Sequence, residues 1–202
     1  IDRLIVNGDC IDGRGERTGG TELITPDRLE QADMFCRIVE VINPKEIAMT
    51  FGTPYHTGMH EDFEKEVAKR LGATIESRLE RVIEGVRIEA RHYLSSYNAP
   101  QSKFTALARE DVWRLIWSER TQKEPPHIIL RSHLHSFGFC GDEYSLAIMT
   151  PGLQGLGSKF GSRICSKTVS IGLIVIDCEN GEYSWKPEIL PLKSQVSNWR
   201  NW

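Results

Sequence analysis

The sequence predicts an α/β fold in which mixed β-sheets pack together and helices flank them. Short apolar runs of strand length alternate with amphipathic helical stretches over the first two thirds of the chain, and short β-rich runs follow from residue 145 onward. Polar and ionisable residues cluster directly after the predicted strands, where α/β folds place their sites. With 202 residues and neither a repeat nor a linker, residues 1–202 are predicted to form a single domain.

Each element is predicted from its pattern of apolar residues and from the residues that interrupt it. Thr25 is expected to cap the first helix, with Pro26 in its first turn, and Gly72 to end the second helix. Residues 86–90 alternate apolar with charged side chains, which predicts a half-exposed strand. The predicted strands are 4–6, 46–51, 86–90, 127–130, 146–149, 168–176, 182–185 and 189–192, and the predicted helices are 26–42, 63–71 and 105–120.

Charge and composition limit the classes of binding partner and the cellular compartment expected for the protein. The net charge of -3 offers no broad basic surface, so nucleic acid is a possible partner but not the favoured one. No apolar run reaches the roughly 20 residues that span a bilayer, so no membrane partner is expected. The five cysteines include no C-x-x-C pair and are interpreted as reduced thiols of a cytoplasmic protein. The oligomeric state is not indicated.

Carboxylate and imidazole side chains follow four of the predicted strands. Mn, Fe and Zn accept both ligand types, so these residues are candidates for a metal site that supports hydrolysis. Each also has an ordinary explanation as a turn residue or a loop histidine. Alternate residues of a regular strand point to opposite faces, so the H-x-H pair can serve one site only if the backbone turns. The candidates are Asp9, His56, His92, His133 and His135.

Four segments carry motif-like patterns in a fixed order. They are G-D-C-I-D-G at 8–13, G-T-P-Y-H at 52–56, R-H-Y-L-S-S at 91–96 and R-S-H-L-H at 131–135. They resemble the G-D-x-x-D, G-N-H-D/E, isolated-histidine and G-H-x-H motifs of the calcineurin-like metallophosphoesterases. Thr53 then stands in place of asparagine, and Ser132 in place of glycine. The tail after residue 150 also resembles a phage-like or mobile-element branch of that superfamily.

The resemblance implies a four-layer α-β-β-α sandwich and a hydrolase, either a phosphatase (phosphomonoesterase) or a phosphodiesterase. Such an enzyme uses two divalent metal ions, here Mn, Fe or Zn, with a hydroxide bridging them. The roles implied for this chain are Asp9 as the bridging ligand, Thr53, His92 and His133 as ligands of one ion, His135 as a ligand of the other, and His56 as the catalytic histidine that assists the leaving group. Arg91 and Arg131 are candidates to contact the substrate phosphate, although an arginine at a strand end is more often solvated.

The first motif of that superfamily, D-x-H, occurs nowhere in the sequence, which opens on the strand that should come second. The domain is therefore expected to lack its first strand and two metal ligands, and the resemblance does not establish the activity of such a form. One alternative is a catalytically impaired domain that keeps the fold and binds a partner or nucleic acid. Another is a DNA-processing nuclease that stacks bases on tryptophans, although two of these are expected to fill the core. The tryptophans concerned are Trp113, Trp117, Trp199 and Trp202, the first two being those of the core.

Overall fold

The structure is a computed structural model and describes residues 1–16, 19–21, 23–59, 62–95, 102–155 and 169–191. Within these ranges the strands are β1 (Arg3–Asn7), β2 (Glu46–Thr50), β3 (Thr74–Glu76), β4 (Leu79–Ile83), β5 (Val86–Arg91), β6 (Ile128–Arg131), β7 (Gly138–Gly141), β8 (Leu146–Met149), β9 (Ile171–Glu179) and β10 (Glu182–Leu190). The helices are α1 (Arg28–Ile42), α2 (Pro54–Thr57), α3 (Asp62–Leu71) and α4 (Ser102–Thr121). None of these helices is long and apolar enough to cross a membrane.

The strands form two packed sheets and a hairpin. A parallel sheet has the order β1-β2-β3, a mixed five-stranded sheet has the order β4-β5-β6-β8-β7, and β9 pairs with β10. One apolar core lies between the parallel sheet and helices α1 and α3, a second lies between the two sheets and the hairpin, and a third lies under α4. The resulting layers are helices, sheet, sheet and helix, so the predicted α/β fold with packed sheets and flanking helices is confirmed.

Several details of the sequence prediction were wrong. The N-cap of α1 is Asp27, whose Oδ1 accepts a hydrogen bond from the Leu29 amide at 2.8 Å, whereas the Thr25 hydroxyl bonds Glu30. Two strands were predicted within residues 182–192, but the structure has the single strand β10 there. Trp113 and Trp117 are 43% and 47% exposed on α4 rather than in the core. Trp199 and Trp202 lie outside the described residues.

Strand β5 is more buried than predicted: Val86, Ile88, Glu89 and Ala90 are buried, and Arg87 and Arg91 are partly exposed. Its Glu89 is only 2% exposed and is surrounded by arginines that compensate its charge. Glu89 contacts Arg131 at 2.9 Å, Arg91 at 2.8 Å and Arg78 at 3.2 Å. The alternation of apolar and charged residues at 86–90 therefore marks a network of ion pairs around the buried Glu89, and not a solvent-facing side of the strand.

Candidate metal centre

The site forms where the strands of both sheets end. Asn7 pairs with Thr50 across β1 and β2, and Arg91 pairs with Arg131 across β5 and β6, so the loops that follow start side by side. The Asn7 amide joins the two sheets: its Nδ2 donates to the Arg91 carbonyl at 3.2 Å and to Ser132 Oγ at 2.7 Å. The Thr50 hydroxyl donates to Asn7 Oδ1 at 2.8 Å. Asn7 thus fixes the spacing between the loops that carry the candidate ligands.

Three candidate ligands have an unusual backbone conformation. Asp9, His133 and His135 have φ angles of 51°, 69° and 50°, a region that residues other than glycine seldom adopt and that is found mostly in turns and at functional sites. Strand β6 ends at Arg131, so both histidines of the H-x-H pair lie on turned backbone. The backbone therefore turns at the H-x-H pair, which is the condition for both histidines to serve one site.

Two glycines allow the loops to approach one another. A Cβ atom on Gly8, whose φ is +76°, would lie 2.6 Å from His92 Nδ1. A Cβ atom on Gly52 would lie 2.1 Å from the Asp9 carboxylate. Both distances are shorter than any real contact, so the glycines before Asp9 and before Thr53 are required for the convergence of the loops.

Asp9, His92 and His133 converge at the centre of the site. One ligand atom from each lies within 4.8 Å of the other two. His92 Nε2 and Asp9 Oδ2 are 2.8 Å apart, yet the carboxylate oxygen lies off the direction of a hydrogen bond. His92 Nε2 and His133 Nδ1 are buried and have no hydrogen-bond partner within the described part of the chain.

The tautomer of His92 is set by the backbone. Its Nδ1 is 2.7 Å from the Asn7 carbonyl oxygen, which can only accept, so Nδ1 carries the hydrogen. With hydrogen on Nδ1, a neutral ring presents the Nε2 lone pair to Asp9, whereas a protonated ring presents an N–H. A lone pair facing a carboxylate oxygen is repulsive unless a proton or a metal ion compensates it, so this arrangement favours a cation.

The ionisation of the cluster suits metal binding. Burial alone would raise the pKa of Asp9, but His92 and the Thr53 amide outweigh it and hold that pKa below its usual value. Burial lowers the pKa of His133 and of His135, and the neighbouring histidines lower both further. For His92, burial acts in the same direction, but the Asp9 carboxylate outweighs it and raises the pKa. Asp9 is thus ionised while His133 and His135 are neutral at pH 7, as metal ligands must be.

Thr53 and His56 lie beside the Asp9 carboxylate. The Thr53 amide donates to Asp9 Oδ1 at 2.6 Å, and the Thr53 hydroxyl is 3.1 and 3.3 Å from the two carboxylate oxygens. His56, on α2, has its Nε2 3.9 Å from Asp9 Oδ2. Its Nδ1 is 2.9 Å from the Asp12 carbonyl, which can only accept, so Nδ1 carries the hydrogen. Thr53 is therefore positioned to orient Asp9, and His56 presents Nε2 to the centre.

His135 and the two arginines take other positions. His135 is outside the 4.8 Å cluster and packs near Gly152, so its role at a second ion stays a prediction. The Arg131 guanidinium is fully buried and is bonded to Glu89 at 2.9 Å and to Glu110 at 3.0 Å. The prediction that Arg131 contacts a substrate phosphate is therefore wrong, and its side chain has a structural role. Arg91, partly exposed, is held by the same two carboxylates.

Glu64 is a functional candidate that the sequence reasoning missed. Its side chain is fully buried, and its Oε2 accepts a hydrogen bond from the Gly52 amide at 2.8 Å. Burial raises the pKa of this carboxyl to about 7. The available clue was its place on the inward stripe of α3, one turn before the buried residues Val67 and Ala68. A glutamate at such a position implies a buried partner, which here is the loop that carries Thr53.

We expect Glu64→Ala to weaken metal binding about tenfold or more, because the Gly52 amide loses its acceptor and the loop beside Asp9 is released. Glu64→Gln keeps an acceptor oxygen at that position and is expected to bind metal more tightly than the alanine variant. Calorimetric titration with Mn²⁺ measures both. Glu66→Ala, on the outer side of the same helix, is the control. Unchanged affinity in Glu64→Ala would contradict the positioning role.

No protein-family model matches the chain, and no curated protein matches it in sequence. Solved structures with a similar arrangement include Vps29 from Entamoeba histolytica complexed with Zn²⁺, at 12% identity and a TM-score of 0.47 over 93% of this chain and 97% of that one. A novel archaeal phosphodiesterase has 12% identity and a TM-score of 0.47 over 93% and 100% of the two chains. A predicted phosphoesterase from Streptococcus pneumoniae has 8% identity and a TM-score of 0.43 over 92% and 97%. With TM-scores below 0.5, none of these similarities supports a function.

Proposed function

We propose that this protein is a metal-dependent phosphoesterase of the calcineurin-like metallophosphoesterase superfamily, acting on a phosphomonoester or a phosphodiester. The observation that carries the proposal is the convergence of Asp9, His92 and His133, in which His92 Nε2 lies 2.8 Å from the Asp9 carboxylate and His133 Nδ1 is buried with no hydrogen-bond partner within the described part of the chain. These residues belong to three of the four segments that resemble motifs of that superfamily. Burying polar atoms without partners is costly, and a bound cation removes that cost.

The donor set fits a divalent ion. Imidazole and carboxylate are accepted by Mn, Fe and Zn, and the His92 tautomer directs a lone pair towards Asp9. Asp9, His92 and His133 would hold one ion with Thr53 beside them. Asp9 and His135 would hold a second ion. Divalent ions in such a site polarise a phosphate ester and lower the pKa of a water molecule.

The remaining side chains have separate tasks in this proposal. His56, with hydrogen on Nδ1 and Nε2 directed to Asp9, would hold a proton for the departing alcohol when its ring is protonated. Thr53 would keep the Asp9 carboxylate oriented through its amide and hydroxyl. Asn7 would keep His92 in the required tautomer.

We expect chelation to remove bound metal and to abolish turnover, and Mn²⁺ or Zn²⁺ to restore it, because the site supplies ligands but not the Lewis acid. Elemental analysis measures the metal, and p-nitrophenyl phosphate and bis-p-nitrophenyl phosphate measure the two activities. The chelated protein is the control. Bound metal without hydrolysis of either ester would contradict the enzyme proposal and favour a non-catalytic binding domain. Absence of stoichiometric metal binding would contradict the metal centre itself.

A further inference from the structure

Two exposed tyrosines flank the proposed metal centre. The Tyr93 ring lies 5.0 Å from the His133 ring, tilted by 38°, and Tyr93 is 62% exposed. The Tyr55 ring lies 4.8 Å from the His56 ring, and Tyr55 is 46% exposed. His133 belongs to the cluster, and His56 is 3.9 Å from Asp9, so each tyrosine is one ring away from the centre.

The placement of Tyr93 is not explained by packing alone. A large apolar ring gains most when it is buried, yet most of this side chain faces solvent beside His133. One part of the ring rests on His133, which fixes its orientation. The remaining surface is a preformed platform for a second planar group, and stacking on such platforms needs no particular hydrogen-bond pattern.

The arginines beside the centre are already paired with carboxylates, so the choice between the two ester classes rests on the number of organic substituents. The two arginines that directly precede His92 and Ser132 are neutralised by Glu89 and Glu110. A phosphomonoester brings two negative charges and only one organic substituent. A phosphodiester brings one charge and two substituents, which matches an aromatic ring on the His133 side and another on the His56 side.

We propose that the substrate is a phosphodiester carrying a planar aromatic substituent, such as a nucleobase, which stacks on Tyr93 while Tyr55 borders the other substituent. This inference rests on the proposed function and specifies its substrate class. In this proposal Tyr93 binds the aromatic substituent, whereas the residues of the metal centre act on the phosphate.

The test compares diesters that share a p-nitrophenol leaving group and differ in the retained group. With Mn²⁺, we expect thymidine 5′-p-nitrophenyl phosphate and phenyl p-nitrophenyl phosphate to show KM values about tenfold below that of ethyl p-nitrophenyl phosphate, with similar kcat. Tyr93→Ala should remove this difference and leave the ethyl diester unchanged, whereas Tyr93→Phe should preserve it. A preference for the thymidine diester over the phenyl diester would identify a nucleoside as the source of the ring.

Tyr144→Ala is the matched control, because Tyr144 is an exposed tyrosine in the turn before β8, at the end of the sheet opposite the site. Equal KM values for ethyl and aromatic diesters would overturn the inference and leave the proposed function intact. If Tyr93→Ala impairs the ethyl diester and metal content equally, Tyr93 merely supports His133 and the inference fails.

Absence of turnover on every ester would contradict the proposed function separately. Calorimetry with thymidine 5′-monophosphate and inorganic phosphate then tests the platform directly. Binding of the nucleotide that is about tenfold weaker in Tyr93→Ala than in the wild type would support it, and equal binding would overturn it.

Discussion

Asp9→Asn is expected to lower Mn²⁺-dependent phosphoester hydrolysis by at least about 100-fold and to lower metal affinity with it, because the site loses its central anionic ligand. Asparagine has the same shape and keeps an oxygen that accepts from the Thr53 amide, so the loop geometry should survive. The change therefore isolates the charge of Asp9 from its structural contact. Turnover of bis-p-nitrophenyl phosphate and elemental analysis of the purified variant measure the two effects.

Asp177→Asn is the control for this substitution, since it removes the same charge from the exposed face of β9. It should retain activity and metal. A thermal unfolding curve of Asp9→Asn that resembles the wild type would show that the loss is local. Wild-type turnover in Asp9→Asn would end the metal-centre proposal, because the remaining ligands are neutral imidazoles and a hydroxyl.

The strand ends could be predicted from the sequence because they depend on local patterns of apolar and polar residues. Apolar runs that stop at Asn-Gly-Asp or before Ser-His-Leu-His predict buried strands that lead into polar loops; β6 is fully buried, whereas in β1 only Val6 is buried. Their convergence is not local: it depends on the registers Asn7 to Thr50 and Arg91 to Arg131, which pattern alone does not specify. The resemblance of motif order supplied that expectation.

Other features were hidden because long-range contacts override local preference. Asn7 follows a short apolar run, and nothing in the sequence pattern indicates that its side chain bridges both sheets. Arg131 was a candidate to contact phosphate because it lies next to a ligand segment, whereas two carboxylates from β5 and α4 allow its burial. The β9–β10 hairpin was missed despite the Asn180-Gly181 pair, whose φ angles of 52° and 86° suit a tight two-residue turn.

Substitution of Glu89, at the centre of the buried ion-pair network, is expected to have a large effect on stability. Glu89→Gln is expected to lower the free energy of unfolding by about 3 kcal/mol, because the fully buried Arg131 would keep only Glu110 as a counter-charge. Arg91 and Arg78 would lose the same partner. Urea unfolding at pH 7 measures the change. Glu46→Gln, which breaks the exposed pair with Arg3, is the control and should have no measurable effect.

The pH dependence of stability separates the charge of Glu89 from its shape. Burial alone would raise the pKa of Glu89, but Arg131, Arg91 and Arg78 outweigh it and hold that pKa below its ordinary value of 4.5. A depressed folded-state pKa means that the ionised carboxylate stabilises the protein above pH 4.5, and that this contribution is lost as the pH falls through the folded-state pKa. The wild type and Glu89→Gln should therefore differ most at neutral pH and converge in acid. A difference that stays constant down to pH 2 would assign the loss to packing instead of charge.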